Sequence, residues 1–173
     1  MTKSEFALFA AALKTYYPRE QLLPNTQALE LWFGRLQDIP YQVAETALNK
    51  WVVTNKWPPS IADIREQAAE IVSGDIPEWS KAWETVLIAI RNYGMYDVAG
   101  AMNSFDDLTY QCVQRLGFKE LCMSTNISVD RANFRMIYEQ LVERKKIEAQ
   151  MPVAIQELIK ELRLESSKKR LTD

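Results

Sequence analysis

The chain has 173 residues, enough for one ordinary domain or two small helical ones, with 47% apolar and 25% charged residues. It contains no histidine, which excludes Ser-His-Asp and Cys-His catalysis, His-ligated metals and a histidine pH switch. Its five glycines form neither G-x-G-x-x-G nor a P-loop, so a nucleotide-driven enzyme of the common kinds is not expected. Cys112 and Cys122 are too few for a disulfide framework and read as buried thiols in a reducing cytoplasm. No metal, cofactor or catalytic residue is implied. No apolar run approaches the roughly 18 residues of a membrane span. The apolar start carries Glu5 and lacks a small-residue cleavage site, so it reads as a helix and the protein as cytoplasmic. Net charge is −2, distributed as −5 over residues 1–130 and +3 over 131–173. An acidic body argues against a protein whose main work is gripping phosphates, so DNA contact is expected to be weak or indirect.

Helical periodicity dominates in chain order. Ser4 can cap a first helix through Tyr17, with Phe6, Phe9, Ala10, Leu13 and Tyr17 on one face. A second helix over 25–37 carries Leu29, Trp32, Phe33 and Leu36, and Asp38-Ile39-Pro40 breaks it. A third over 41–54 carries Val43, Ala44, Ala47, Leu48 and Trp51. Trp57-Pro58-Pro59 forces an extended turn, and Ser60 with Asp63 opens a fourth helix over 61–72, with Ile61, Ile64, Ala68 and Ile71 as its stripe. Residues 73–77 then read as a boundary.

The second half continues with helices over 79–93, 96–103, 105–116 and 118–123, the third of these capped by Ser104. Ser128 with Arg131 opens a long helix over 129–150. After Pro152 comes an amphipathic segment, 153–164. The expected fold is all-α: an N-terminal four-helix unit, then a second helical unit ending in a long helix. The domains are placed at 1–73 and 78–150, with residues 151–173 as a C-terminal amphipathic segment and basic tail.

The turn around Trp57 and the helix after it allow three readings: a proline staple between two helices, a protein-contact surface, or a helix-turn-helix that reads DNA. The third offers only Arg65 as a base-reading cation, beside Asp63, Glu66 and Glu70, which phosphate would repel. Asp106-Asp107 suit a helix N-terminus better than acid/base chemistry.

The pattern Leu29-x-x-Trp32-x-x-x-Leu36-x-Asp38-x-Pro40-Tyr41-x-x-Ala44-x-x-Ala47-x-x-x-Trp51, then Lys56-Trp57-Pro58-Pro59-x-Ile61-Ala62-Asp63-Ile64-Arg65, resembles the phage replicative-helicase loader/inhibitor family of Gram-positive hosts. The resemblance is clearest over residues 1–72 and continues more loosely through Trp79-x-x-x-Trp83, Tyr93-Gly94 and Leu116-Gly117-Phe118. It implies a small helical protein that binds a hexameric replicative helicase, holds it inactive and, with an origin-binding replication initiator, delivers it to single-stranded DNA. It also implies a folded N-terminal unit and a more mobile region after it that contacts the helicase. Here Leu87, Ile88, Ile90, Phe105, Leu108, Phe118 and Leu121 read as a true core, so a folded second half is expected.

Without a P-loop, such a protein acts by stoichiometric binding that shifts its partner's conformational equilibrium. The residues proposed to bind the partner are Phe134, Ile137, Leu141, Arg144 and Lys145 of the long helix and Ile155, Leu158, Ile159 and Leu162 of the last segment. Two alternatives stay open: the charged run at 143–146 as a solvated face, and the last segment docked on the chain's own core. For a helix-turn-helix-like DNA-binding replication or regulatory protein, the contacts would be Arg65, Lys168, Lys169 and Arg170. The three tail cations also serve simple solubility, the favoured reading. A structural or assembly factor is a further alternative.

Overall fold

The computed structural model describes the backbone of residues 1–170 and the side chains of residues 1–165. Ten α-helices and no strand occur among them: α1 (Lys3–Tyr16), α2 (Thr26–Leu36), α3 (Tyr41–Thr54), α4 (Ile61–Ser73), α5 (Trp79–Tyr93), α6 (Val98–Asn103), α7 (Asp107–Leu116), α8 (Phe118–Met123), α9 (Ile127–Gln150) and α10 (Val153–Arg170). They fall into two compact units. The first comprises residues 1–74 together with 146 onward, and the second residues 75–145.

In the first unit, α3 and α4 form the main helix pair, and α1 and α2 pack against them. The core is the predicted set of stripes: Phe6, Phe9, Ala10 and Leu13 of α1, Leu36 of α2, Ala44, Ala47 and Leu48 of α3, and Ile64 and Ala68 of α4. Alanines on α3 let the α4 backbone approach closely, and Leu48 and Ile64 fill the remaining volume. Ile71, placed in the α4 stripe by spacing, is exposed in the last turn of the helix. The α3–α4 turn is held by the indole of Trp51, whose Nε1–H donates to the Trp57 carbonyl at 2.9 Å. Pro59 is buried in this turn, whereas the Trp57 side chain is exposed.

Helix starts follow side-chain oxygen supply. Ser60 and Asp63 form a reciprocal capping box on α4, as the sequence predicts. The cap of α1 is Thr2 rather than Ser4: Thr2 and Glu5 form the capping box, which places Ser4 inside the helix. The cap of α7 is Asp106 rather than Ser104. Asp106 accepts from the backbone of Leu108 and Thr109, both at 3.0 Å, while Ser104 ends α6.

The second unit packs Ala82, Trp83, Val86 and Ala89 of α5 against Ala101, Leu108, Cys112, Val113, Phe118 and Leu121, with Phe134, Tyr138 and Leu141 of α9. Trp83 and Phe134 ring centroids are 5.2 Å apart, and Phe134 and Tyr138 are 5.6 Å apart. The second half thus has the apolar core expected from its sequence, though Ile88 points to solvent. Gly94 and Gly117 end α5 and α7 at φ 58° and 83°, a left-handed backbone that glycine adopts without steric cost. Cys112 is buried, its thiol donating to the Phe134 carbonyl, and burial pushes the thiol pKa up to about 12. Such a thiol is inert at neutral pH. Cys122 is half-buried.

Candidate functional site

The residues proposed for partner binding separate into three environments. Phe134 and Leu141 are fully buried in the second unit, and Ile137 packs half-buried on the same cluster. Phe134 and Leu141 are core residues that present almost no surface in this structure, and Ile137 keeps part of its surface exposed. The reason is simple: an apolar stripe on α9 has the same spacing whether it faces its own core or another protein. Arg144 and Lys145 are exposed on the following turn.

The last helix behaves differently. Ile155 and Ile159 are half-buried, while Leu158 and Leu162 remain 54% and 55% exposed. The stripe read from spacing therefore exists on α10, with one edge covered and one edge open. Glu157, Lys160 and Glu161 surround the open edge with charge of both signs. This is the geometry of an amphipathic helix that can enter an apolar groove.

Arg65 occupies a different place from the one a DNA reader needs. It is only 7% exposed. Its Nη1 and Nη2 donate to Asp38 Oδ1 and Oδ2 at 2.8 and 2.9 Å, a bidentate fork, and Nη1 also donates to the Arg35 carbonyl at 2.6 Å. Its Nε donates to the Gln150 carbonyl. The guanidinium is thus committed inside the protein and cannot read base edges. Of the other residues named for nucleic acid, Lys168, Lys169 and Arg170 lie outside the described side chains.

Asp38 reads from the sequence as part of a helix breaker and of the resemblance pattern, with no partner assigned to it. Burial raises its carboxyl pKa, but the hydrogen bonds and charge of Arg65, with a further backbone donor from Val153, outweigh burial and hold it below the ordinary 3.8. The Val153 N–H reaches Asp38 Oδ2 at 3.4 Å, so this carboxylate also sits at the start of α10. A signal was present: Asp38 and Arg65 are both letters of the pattern that carries the family resemblance. Among the described residues no group of three or more Cys, Asp or Glu is placed to hold a metal ion, and no helix is long and apolar enough to cross a membrane.

Residues 1–65 match the family model of the N-terminal domain of the phage SPP1 helicase loader/inhibitor. Over this segment the chain is similar to that N-terminal domain. The match takes in α1, α2, α3 and the capped start of α4, and it ends on Arg65. It supports the phage helicase loader/inhibitor family and, in general terms, a helicase-interacting protein. No curated protein and no solved structure matches the chain.

Proposed function

We propose that this chain is a non-enzymatic binding protein that loads or inhibits a hexameric replicative DNA helicase during phage or mobile-element replication. The observation that carries the reading is the loader/inhibitor N-terminal domain over residues 1–65. The described surface fits such a role through α10, whose exposed Leu158 and Leu162 supply apolar anchors, with Arg144 and Lys145 of α9 as further candidate contacts. Binding alone would do the work: a protein that prefers one conformation of a helicase ring shifts the ring toward it by the difference in affinity. An origin-binding initiator as second partner and a cytoplasmic setting belong to the same proposal. The helix-turn-helix alternative loses its base reader, because Arg65 is paired with Asp38.

The test mixes the full chain with the host's hexameric replicative helicase, with and without nucleotide, and measures mass in solution. A defined complex is expected. Replacing Leu158 and Leu162 together by aspartate should weaken it by roughly 30-fold or more, the scale of about 2 kcal/mol for lost apolar anchors. Helix content and unfolding midpoints should stay near those of the parent, since both side chains are solvent-exposed. No complex under either nucleotide condition would end the helicase reading. A complex indifferent to the double substitution would move the contact off α10.

A further inference from the structure

The polar node around Arg65 has a fixed half and a detachable half. Asp38 and the Arg35 carbonyl belong to the end of α2 and its following turn, inside the α1–α4 bundle. The Gln150 carbonyl and the Val153 N–H flank the Met151-Pro152 break between α9 and α10. Each contact meets the electrostatic demand of a helix end. The guanidinium donates to carbonyls of the C-terminal turns of α2 and α9, and the Asp38 carboxylate accepts from the backbone amide of the first α10 residue. The break itself is closed locally, because the Gln156 side-chain amide donates to the carbonyls of Glu148 and Met151 at 2.8 and 3.0 Å.

Apolar attachment is slight in this arrangement: on α10 it is limited to the half-buried Ile155 and Ile159. Among the described residues, the buried core cluster of the first unit comes from α1 to α4 and their connections, and α10 supplies no fully buried side chain. We infer that the Arg65–Asp38 node is a releasable clasp that holds α10 to the first unit and lets it go without unfolding α1–α4. On release the guanidinium keeps its fork to Asp38 and its bond to Arg35, so no buried charge is stranded. The Arg65 Nε–H, the second site on Asp38 Oδ2, the Gln150 carbonyl and the Val153 N–H must turn to water, together with the covered faces of Ile155 and Ile159, while no fully buried side chain of α10 is uncovered among the described residues. Detaching α1 would instead expose Phe6, Phe9 and Leu13. The released helix presents all four apolar positions, 155, 158, 159 and 162, of which the docked state half-covers two. This inference stands apart from the identity of the partner.

Hydrogen–deuterium exchange on the full chain tests it. Amides of α10 should exchange at least tenfold faster than those of α1 and α3, through a local opening. Val153→Pro removes the donor to Asp38 at the first helical position, where proline fits. Arg65→Lys keeps a cation for Asp38 but has no Nε for Gln150. Each should speed exchange over 155–162 about tenfold and leave α1 and α3 protection unchanged. If neither variant moves 155–162, or if α1 and α3 loosen in step with α10, the clasp is refuted and α10 is part of one cooperative body. Should Arg65→Lys unfold the unit, Val153→Pro decides alone, because it leaves the Arg65–Asp38 pair untouched.

Discussion

Phe134→Ala should destabilise the second unit by about 3–5 kcal/mol, the cost of emptying a fully packed aromatic site. The ring is 0% exposed and lies between Trp83 and Tyr138, with centroids at 5.2 and 5.6 Å. Tyr138 in turn donates its hydroxyl to the Pro77 carbonyl at 3.1 Å, so a shift of the ring stack would disturb the start of this unit as well. For a unit of this size, a loss on that scale lowers the melting temperature by at least about 12 °C. Thermal melting followed by near-ultraviolet circular dichroism checks it, since the lost signal comes from the Trp83–Phe134–Tyr138 stack. A shift below about 3 °C would mean the ring is not packed as described. Any loss of partner binding in this variant would follow from unfolding, because Phe134 presents no surface. The Leu158/Leu162 double substitution carries the opposite signature, lost binding on an intact fold.

Asp38→Ala should cost the first unit about 2–3 kcal/mol. Removing one member of a buried ion pair commonly costs about 3–5 kcal/mol, and the lower figure is expected here because the Asp38 side chain is 22% exposed against 8% for Arg65. In urea this shifts the unfolding midpoint down by roughly 1–2 M. The double substitution Asp38→Leu with Arg65→Met should recover much of the loss, since no charge is then left without its partner. An unmoved midpoint in the single variant would show that water already reaches the pair. The pH dependence has a definite sign. The folded-state pKa of Asp38 lies below its ordinary 3.8, so its stabilising contribution is fully present above that value. It is lost as the pH falls through the lower folded value. The Asp38 share of acid loosening in the first unit should therefore set in below about pH 3.8, and Asp38→Asn should remove that share.

Most of the helix plan was legible because apolar spacing and breakers agree. Pro40, Pro58-Pro59, Gly94 and Gly117 each interrupt a periodic stripe where the structure ends or restarts a helix. The caps were harder to place when two suitable oxygens lay close together. Thr2 prevails over Ser4 because Glu5 stands three residues after Thr2 and completes the box. Asp106 prevails over Ser104 because the latter is already the C-cap of α6. The binding surface was less legible, for a physical reason. Periodicity reports that a face is apolar, not what covers it, so the α9 stripe of Phe134, Ile137 and Leu141 and the α10 stripe looked alike. Only one of them is open. Arg65 was left open as a base-reading cation for the converse reason: the sequence does not show which partner a cation on a polar-looking helix has. That partner lies 27 residues away in sequence.

The burial of the Arg65–Asp38 pair has a consequence for ionic strength. Mobile counterions screen charges that they can approach, and at 0.15 M the screening length is about 8 Å. They can surround the Lys50–Glu70 pair, whose side chains are about half exposed, and the exposed cation of Lys145. They have little access to a guanidinium sealed between α2, α4 and the end of α9. Added salt therefore acts as a sorting agent in this molecule: it fades the contacts that exposed side chains make with another macromolecule while leaving the internal pair in place. A binding step that weakens with salt would report on the outer charges alone.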